Sequence, residues 1–316
     1  MRKTNLYLMI ALVVQAGLSA VTWTTCEPGS GVPDPKKLLQ IDVNEVTTLE
    51  VTDKPNQEDD TLKKVTLEKK AGKWVVASAA DFPADESKVR EVLHKLAALK
   101  AAEPIATQAA NHNALNVGDR EYGRKVTVKT ASKSESLIIG DGPGQSLHVR
   151  FGGKDEVFRS KGLSVWAVKS NLSGYIDTQY VEVDKDKLTT VSVTNDKGSL
   201  TFTKQGDKWS LAELPEGSAL DESKVNTFMT EVAKLSLNEP VGREVKPEHD
   251  LDAGVRVRLD YADDGEPRVL SYTVGSEKDE SYYYVKADSS DFVVTVSKWS
   301  TDQVREKAAA DFVKQD

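Results

Sequence analysis

Four histidines are the side chains best able to do acid–base or metal chemistry near neutral pH. They are His94, His112, His148 and His249, and their spacing matches no metal-binding motif. His112 and His249 are the most suggestive pair, because each lies in the polar loop that comes after a predicted helix. A lone histidine in a loop is usually a solvated surface residue, so neither is predicted to be catalytic.

The sequence also lacks the common motifs of nucleophilic, zinc and nucleotide chemistry. The carboxylate pairs at 59–60 and 263–264 lie in polar turns, where solvation accounts for them. The glycine-rich stretch 140–144 precedes a predicted strand, whereas a phosphate-binding loop leads into a helix. The corresponding stretch 275–280 is acidic and would repel phosphate. We therefore predict a hairpin turn at the glycines, no catalytic, metal-binding or cofactor-binding residues, no cofactor, and no enzymatic activity.

A run of tyrosines near the C-terminus is the strongest candidate for a binding surface. In a strand, Tyr282 and Tyr284 lie on the same face, and Tyr272 is a plausible neighbour on the adjacent strand. Such a platform could stack on a sugar ring or contact a partner protein. Ordinary packing within the sheet is the alternative, since strands are rich in tyrosine.

Composition limits the classes of function that the chain can have. A net charge of −8 and a pI near 5.3 argue against nucleic-acid binding, which needs a basic surface. The single cysteine, Cys26, excludes an internal disulfide and a zinc site built from several cysteines. With 316 residues, 39% hydrophobic and 29% charged, the chain has the length and composition of about two globular domains.

The N-terminal segment 1–25 has the pattern of an export signal or membrane anchor. Arg2 and Lys3 precede a charge-free apolar run, a pattern that keeps the N-terminus in the cytoplasm and places the rest of the chain outside. Cys26 comes directly afterwards and resembles the lipidated cysteine of a bacterial lipoprotein. Cleavage with release, an uncleaved anchor and a lipid on Cys26 all stay open. Residues 26–37 then form a Pro/Gly linker.

A duplicated motif organises the rest of the chain. The five residues Asp85–Val89 return unchanged as Asp221–Val225. A Lys-Trp pair upstream and a Glu-Pro pair downstream are repeated with them. We therefore predict two tandem homologous units, at 38–180 and 181–316.

Each unit combines several strands with one main helix. Apolar residues recur at helical spacing after each repeated aspartate, a residue that favours the N-cap position. The second helix is expected to run to about Leu235, and a terminal helix is expected over 301–313. Trp299 in the second unit corresponds to Trp166 in the first. The predicted fold is α+β, with a mostly antiparallel sheet covered on one face by the main helix in each unit.

Several motifs together resemble a family of bacterial envelope proteins, a domain of unknown function. They are the N-terminal anchor, the strand Val65–Lys69, the Lys-Trp pair at 73–74, the helix from Asp85 and the strand end at 137–140. The resemblance covers nearly all of residues 38–316. It implies an N-terminal membrane segment, tandem units of this type, and a gene often found beside gliding-motility-type ABC transporters. The family has no established catalytic residues, so the resemblance implies none here.

These observations lead to three hypotheses about function. The first is a non-enzymatic, envelope-anchored binding or scaffold protein, an accessory of an ABC-type membrane complex; the transporter partner is implied by the resemblance alone. The second is an extracytoplasmic glycan-binding protein that uses the tyrosine face. The third is a hydrolase whose site lies between the two units. In each case we expect a periplasmic location, with the membrane as partner through residues 1–25 or a lipid on Cys26.

Overall fold

The computed structural model describes residues 33–55 and 62–315. The predicted anchor at 1–25, Cys26 and most of the linker lie outside these described residues, as does the carboxylate pair at 59–60. Within the described ranges, no helix is both long enough and apolar enough to cross a membrane.

The first half of the chain forms an antiparallel sheet, a separate strand pair and one α-helix. The elements are β1 (Lys36–Lys37), β2 (Val46–Asp53), β3 (Lys64–Lys70), β4 (Lys73–Val76), β5 (Phe82–Pro83), α1 (Glu86–Ala97), β6 (Lys100–Ala101), β7 (Pro104–Ala106), β8 (Arg124–Thr130), β9 (Ser134–Asp141), β10 (Ser146–Phe151) and β11 (Val157–Lys161). The sheet has the order β5-β4-β3-β2-β8-β9-β10-β11-β7, and β1 pairs with β6.

The second half forms another antiparallel sheet and two α-helices. The elements are β12 (Gln179–Glu182), β13 (Leu188–Asn195), β14 (Gly198–Gln205), β15 (Lys208–Leu211), α2 (Glu222–Val232), β16 (Lys234–Gly242), β17 (Val255–Asp263), β18 (Glu266–Asp279), β19 (Tyr282–Ala287), β20 (Val293–Ser297) and α3 (Lys298–Arg305). The sheet has the order β12-β16-β20-β19-β18-β17-β13-β14-β15.

The two sheets share one order over eight of their nine strands. Read from β4, the first sheet runs β4-β3-β2-β8-β9-β10-β11-β7; read from β15, the second runs β15-β14-β13-β17-β18-β19-β20-β16. In both, these strands place β8 or β17 beside the first of the three strands that precede the main helix. The sheets differ in one edge strand each, which is β5 beside β4 in the first sheet and β12 beside β16 in the second. Antiparallel sheets with a few helices place the fold in the predicted α+β class or close to the mainly β class.

Each main helix begins after its predicted aspartate. Asp85 accepts hydrogen bonds from the backbone N–H groups of Ser87 and Lys88, at 2.9 and 3.3 Å. Asp221 caps α2 in the same way, through the amides two and three residues ahead, at 3.0 and 3.1 Å. These bonds satisfy amides that no helical carbonyl can reach, which confirms the predicted caps.

The last segment of each half is hydrogen-bonded to the cap residue of its main helix. The backbone N–H of Asp85 donates to the carbonyl of Tyr175 at 2.7 Å, and that of Asp221 donates to the carbonyl of Phe312 at 2.8 Å. Tyr175 and Phe312 are both fully buried beside their helices. The last segment of each half therefore closes over the start of its helix.

The apolar stripe of each helix faces the sheet. The buried residues are Val89, Val92, Leu93, Leu96 and Ala97 in α1, and Val225, Phe228, Met229 and Val232 in α2. Nearly all of them belong to the same hydrophobic cluster as the inward-facing residues of the strands. Burial of this stripe, rather than helix propensity alone, stabilises helices of this length.

Two predicted helix boundaries are wrong. Helix α2 ends at Val232, well before Leu235, and β16 begins two residues later. Buried Leu235 and Leu237 alternate with exposed residues, which is the period of a strand. The C-terminal helix starts earlier than predicted, at Lys298, because Ser297 caps it; it ends at Arg305 and is followed by a short 3₁₀ helix.

The two halves share one hydrophobic core. A single cluster of buried residues extends from Leu39 to Phe312 and includes residues of both sheets. The rings of Phe82 and Phe292 meet edge to face, with centroids 4.8 Å apart. Tyr180, in the strand that joins the halves, donates to the carbonyl of Phe292 at 2.6 Å. The joining strand is therefore held from inside the second half.

Glycines allow the loop after each main helix to cross the sheet. A Cβ atom on Gly140 would overlap the carbonyl of Asn116, and one on Gly275 would overlap the carbonyl of His249. Only glycine permits so close an approach of two backbones. The rest of the first glycine stretch is a hairpin turn, as predicted, closed by the N–H of Gly142 donating to the carbonyl of Ser146 at 3.1 Å.

Candidate functional site

The two loop histidines are buried, which corrects the prediction of solvated surface residues. His112 is 7% exposed, and its Nε2 lies 3.0 Å from the carbonyl oxygen of Asp155. His249 is 1% exposed, and its Nδ1 accepts the backbone N–H of Lys246 at 3.1 Å. Burial lowers the pKa of His249. Each ring holds its own loop against its own sheet, and the two do not converge.

Other clusters of ionisable groups are few. Among residues 33–55 and 62–315, no group of three or more histidine, cysteine, aspartate or glutamate side chains could hold a metal ion. His148 is buried on β10, where its Nδ1 lies 3.0 Å from the carbonyl oxygen of Leu115. Its Nε2 has no hydrogen-bond partner within the described part of the chain.

The predicted tyrosine face keeps two of its three members. Tyr282 and Tyr284 lie on the outer face of β19, both partly exposed, while Tyr283 between them points into the core. Tyr272 is on the opposite, inner face: it is 2% exposed and its hydroxyl donates to the carbonyl of Val232 at 3.2 Å. Its cross-strand neighbour is Ala287, so the predicted ladder of three tyrosines is wrong.

A histidine and an ion pair lie beside the two remaining tyrosines. The ring of His249 lies against Tyr284, with centroids 4.5 Å apart and the planes tilted by 42°. Lys278 forms an ion pair with Glu239 on the same face, and this hydrogen bond raises the pKa of Lys278. The outer face of β19 is thus a small aromatic patch with polar edges.

Two tryptophans are the most exposed large apolar side chains among the described residues. Trp166 is 67% exposed and Trp299 is 72% exposed. Each comes after the last strand of its sheet, Trp166 in a short 3₁₀ helix after β11 and Trp299 in α3 after β20. The guanidinium of Arg124 lies 5.5 Å from the Trp166 ring centre. The sequence indicated that the two tryptophans correspond, but no pattern in it indicated that both face solvent.

Three surface pockets accompany these features. One, of about 450 Å³, lies beside the turn between β9 and β10. A second, of about 490 Å³, lies beside the polar link at 182–186. A third, of about 320 Å³, lies between α2 and the C-terminal segment, with buried aromatic rings in its wall. None of them contains Tyr282, Tyr284 or either exposed tryptophan.

Comparison with known proteins places the chain in a family without assigning it an activity. Residues 74–254 match the family described as "Domain of unknown function (DUF4340)". No curated protein and no solved structure matches the chain. The matched range runs from within β4 to the residue before β17 and covers more than half of the sequence. The chain therefore belongs to the DUF4340 family.

Proposed function

We propose that this protein is a non-enzymatic binding or scaffold protein of the bacterial cell envelope, built from two tandem homologous units. The repeated motif at 85–89 and 221–225 supports the duplication. The shared strand order of the two sheets and the identical tie between each cap and its closing segment support it further. Residues 38–180 and 181–316 would then descend from one ancestral unit.

The proposed location rests on the N-terminus. Residues 1–25 anchor the chain, as an uncleaved segment or through a lipid on Cys26, and the folded halves lie on the periplasmic side. The partner is a subunit of an ABC-type membrane complex, a link that rests on the family resemblance. In this role the protein binds and positions other proteins and performs no chemistry itself.

The observation that carries the proposal is the exposure of Trp166 and Trp299. Tryptophan is costly to leave in water, and in protein interfaces it supplies a large share of the binding energy. Each half presents one tryptophan at the same place, after the last strand of its sheet. Two such anchors on one body with a continuous hydrophobic core suit a partner that is contacted at two points.

A pull-down from native membranes tests the proposed role. The protein carries a C-terminal tag, the membranes are crosslinked and dissolved in detergent, and bound proteins are identified. We expect an ABC-type membrane subunit, lost when residues 1–25 are replaced by a cleavable export signal. Recovery of the wild-type protein alone, soluble in the periplasm, would contradict the anchored role.

Glycan binding is the second candidate, supported by the outer face of β19. Tyr282 and Tyr284 lie side by side there, next to an ion pair and a histidine. An aromatic face edged by polar groups can pack on the apolar face of a sugar ring. Cell-wall glycan pelleting should retain the wild-type protein and lose the Tyr282→Ala/Tyr284→Ala variant. Equal pelleting of both proteins would remove this candidate.

A further inference from the structure

The loop between β16 and β17, residues 243–254, lies against the second sheet and is held there by few contacts. Within this loop His249 alone is buried. The ring of His249 packs on Tyr284 of β19, with centroids 4.5 Å apart. The hydroxyl of Ser276 on β18 donates to the carbonyl of Glu248 at 2.5 Å. The attachment of the loop therefore depends strongly on one aromatic side chain.

The hydrogen bond of the buried ring requires its neutral form. The backbone N–H of Lys246 donates to Nδ1 of His249 at 3.1 Å. Nδ1 therefore carries a lone pair, and the proton of the neutral ring is on Nε2. A proton added at Nδ1 would remove this acceptor and bring two N–H groups face to face. It would also leave a charged ring in a buried position, which is costly.

The charges around the ring do not cancel this effect. Within the loop, Glu244 and Glu248 favour the charged ring, whereas Lys246 opposes it. The face of an aromatic ring such as Tyr284 also attracts a cation. Burial is the largest influence, and it lowers the pKa of His249 overall. The charged or titratable groups beside it on the sheet are Tyr284, Lys278 and Glu239, of which the last two form an ion pair.

The corresponding loop of the first half is held by histidines that donate. Nε2 of His112 lies 3.0 Å from the carbonyl oxygen of Asp155, and Nδ1 of His148 lies 3.0 Å from that of Leu115. Because a carbonyl oxygen can only accept, both nitrogens already carry a proton in these bonds. These two bonds survive when the rings become charged, whereas the bond to Nδ1 of His249 does not.

We propose that residues 243–254 form an acid-sensitive lid on the second half, with His249 as its latch. The neutral ring closes the lid on Tyr284, and the charged ring leaves the sheet so that the lid opens. A histidine in an open loop has a pKa near 6.5, above that of the closed state, so opening increases as the pH falls below about 6.5. Opening frees one face of Tyr284. This inference goes beyond the scaffold role and does not depend on it.

Hydrogen–deuterium exchange of the full-length protein in detergent tests the proposal. Exchange is measured by mass spectrometry at about pH 7.5 and about pH 5.5, on either side of the histidine pKa. Each rate is divided by that of an unstructured peptide at the same pH, which removes the chemical effect of pH on exchange. We expect the corrected exchange of residues 243–254 to rise about threefold to tenfold at the lower pH. Strands β17 and β18 should stay protected.

Two variants assign this response to the latch. His249→Asn keeps an acceptor oxygen close to the position of Nδ1 but does not titrate, so its corrected exchange should be the same at both pH values. Ser276→Ala removes the hydrogen bond from the sheet to the loop. It should raise exchange by the same factor at both pH values and leave the ratio between them as in the wild type.

An NMR titration keeps the proposal testable if the loop of His249→Asn is open at every pH. The ring signal of His249 is identified by its absence from the spectrum of this variant, and in the wild type it should titrate below about pH 6.5. A wild-type loop whose corrected exchange does not change with pH, an equal response in His249→Asn, or a His249 ring that titrates at or above this value would overturn the proposal.

Discussion

Asp85 and Asp221 each join a helix to the segment that closes its half. The carboxylate of each accepts two amides at the helix start, and its negative charge lies at the positive end of the helix dipole. The backbone N–H of the same residue donates to Tyr175 in one half and to Phe312 in the other. The repeated motif thus has a structural role in both halves.

Removing the cap residue Asp85 or Asp221 should lower the free energy of unfolding. We expect Asp85→Ala and Asp221→Ala each to cost about 1 kcal/mol, because two helix amides lose their acceptor. Urea denaturation followed by circular dichroism measures this. Asp85→Asn is the matched control, since asparagine is an equally good N-cap; an equal loss in Asp85→Asn would contradict the capping role.

The cap should also make stability depend on pH. The hydrogen bond from the Ser87 hydroxyl and those from two backbone amides lower the pKa of Asp85. A carboxyl whose pKa is lower in the folded state stabilises the fold above its unfolded pKa, about 3.9. The difference in unfolding free energy between wild type and Asp85→Ala should therefore be full at neutral pH and shrink as the pH falls below about 4. A difference that stays constant down to acid pH would contradict this.

Among the helices and strands, local sequence pattern was enough to predict an element wherever a single hydrophobic period, helical or strand-like, continued without interruption. The strand beginning at Val46 and the helices after Asp85 and Asp221 were predictable, because alternation, helical spacing and a cap residue agreed. The end of α2 was not predictable, because β16 begins after a single residue and the first leucines of β16 also fit a helical spacing. Pattern alone cannot separate the two periods over so short a span.

The tyrosine face shows a second limit of the sequence. Tyr272 can share a face of the sheet with Tyr282 or lie on the opposite face. The pairing register across the hairpin between β18 and β19 decides between the two. That register shifts at two irregularities between Val274 and Asp279, which no local pattern indicated. The pocket between α2 and the C-terminal segment was equally hidden, because Glu231 and Lys307 are far apart in the sequence and meet only in the fold.

The strand that joins the halves should be sensitive to loss of one hydroxyl. Tyr180 accepts the backbone N–H of Ala287 at 2.9 Å and donates to the carbonyl of Phe292 at 2.6 Å. We expect Tyr180→Phe to cost about 2 kcal/mol or more, since a buried amide and a buried carbonyl both lose a partner. The measurement is again the urea midpoint.

Tyr175→Phe is the control for that experiment. Tyr175 is also buried, but its hydroxyl makes a single bond, to the carbonyl of Lys169 at 2.8 Å. The expected cost is about 1 kcal/mol. Equal costs for the two variants would show that the second bond of Tyr180 contributes nothing.

At the scale of the whole molecule, charge is distributed unevenly between the halves. Residues 38–180 carry 20 basic and 20 acidic side chains, whereas residues 181–316 carry 18 basic and 28 acidic ones, a net charge of −10. Under the anchoring proposed above, the neutral half would follow the anchor directly and the acidic half would lie farther along the chain.

Site-specific photo-crosslinking in native membranes shows whether Trp166 and Trp299 contact a membrane partner. A photoreactive amino acid replaces Trp166, Trp299 or, as a control, Val269, which is 46% exposed and carries no proposed role. The scaffold account predicts adducts from positions 166 and 299 to the same ABC-type membrane subunit and none from position 269. Absence of a membrane-protein adduct at both tryptophan positions, or equal adducts at all three positions, would contradict it.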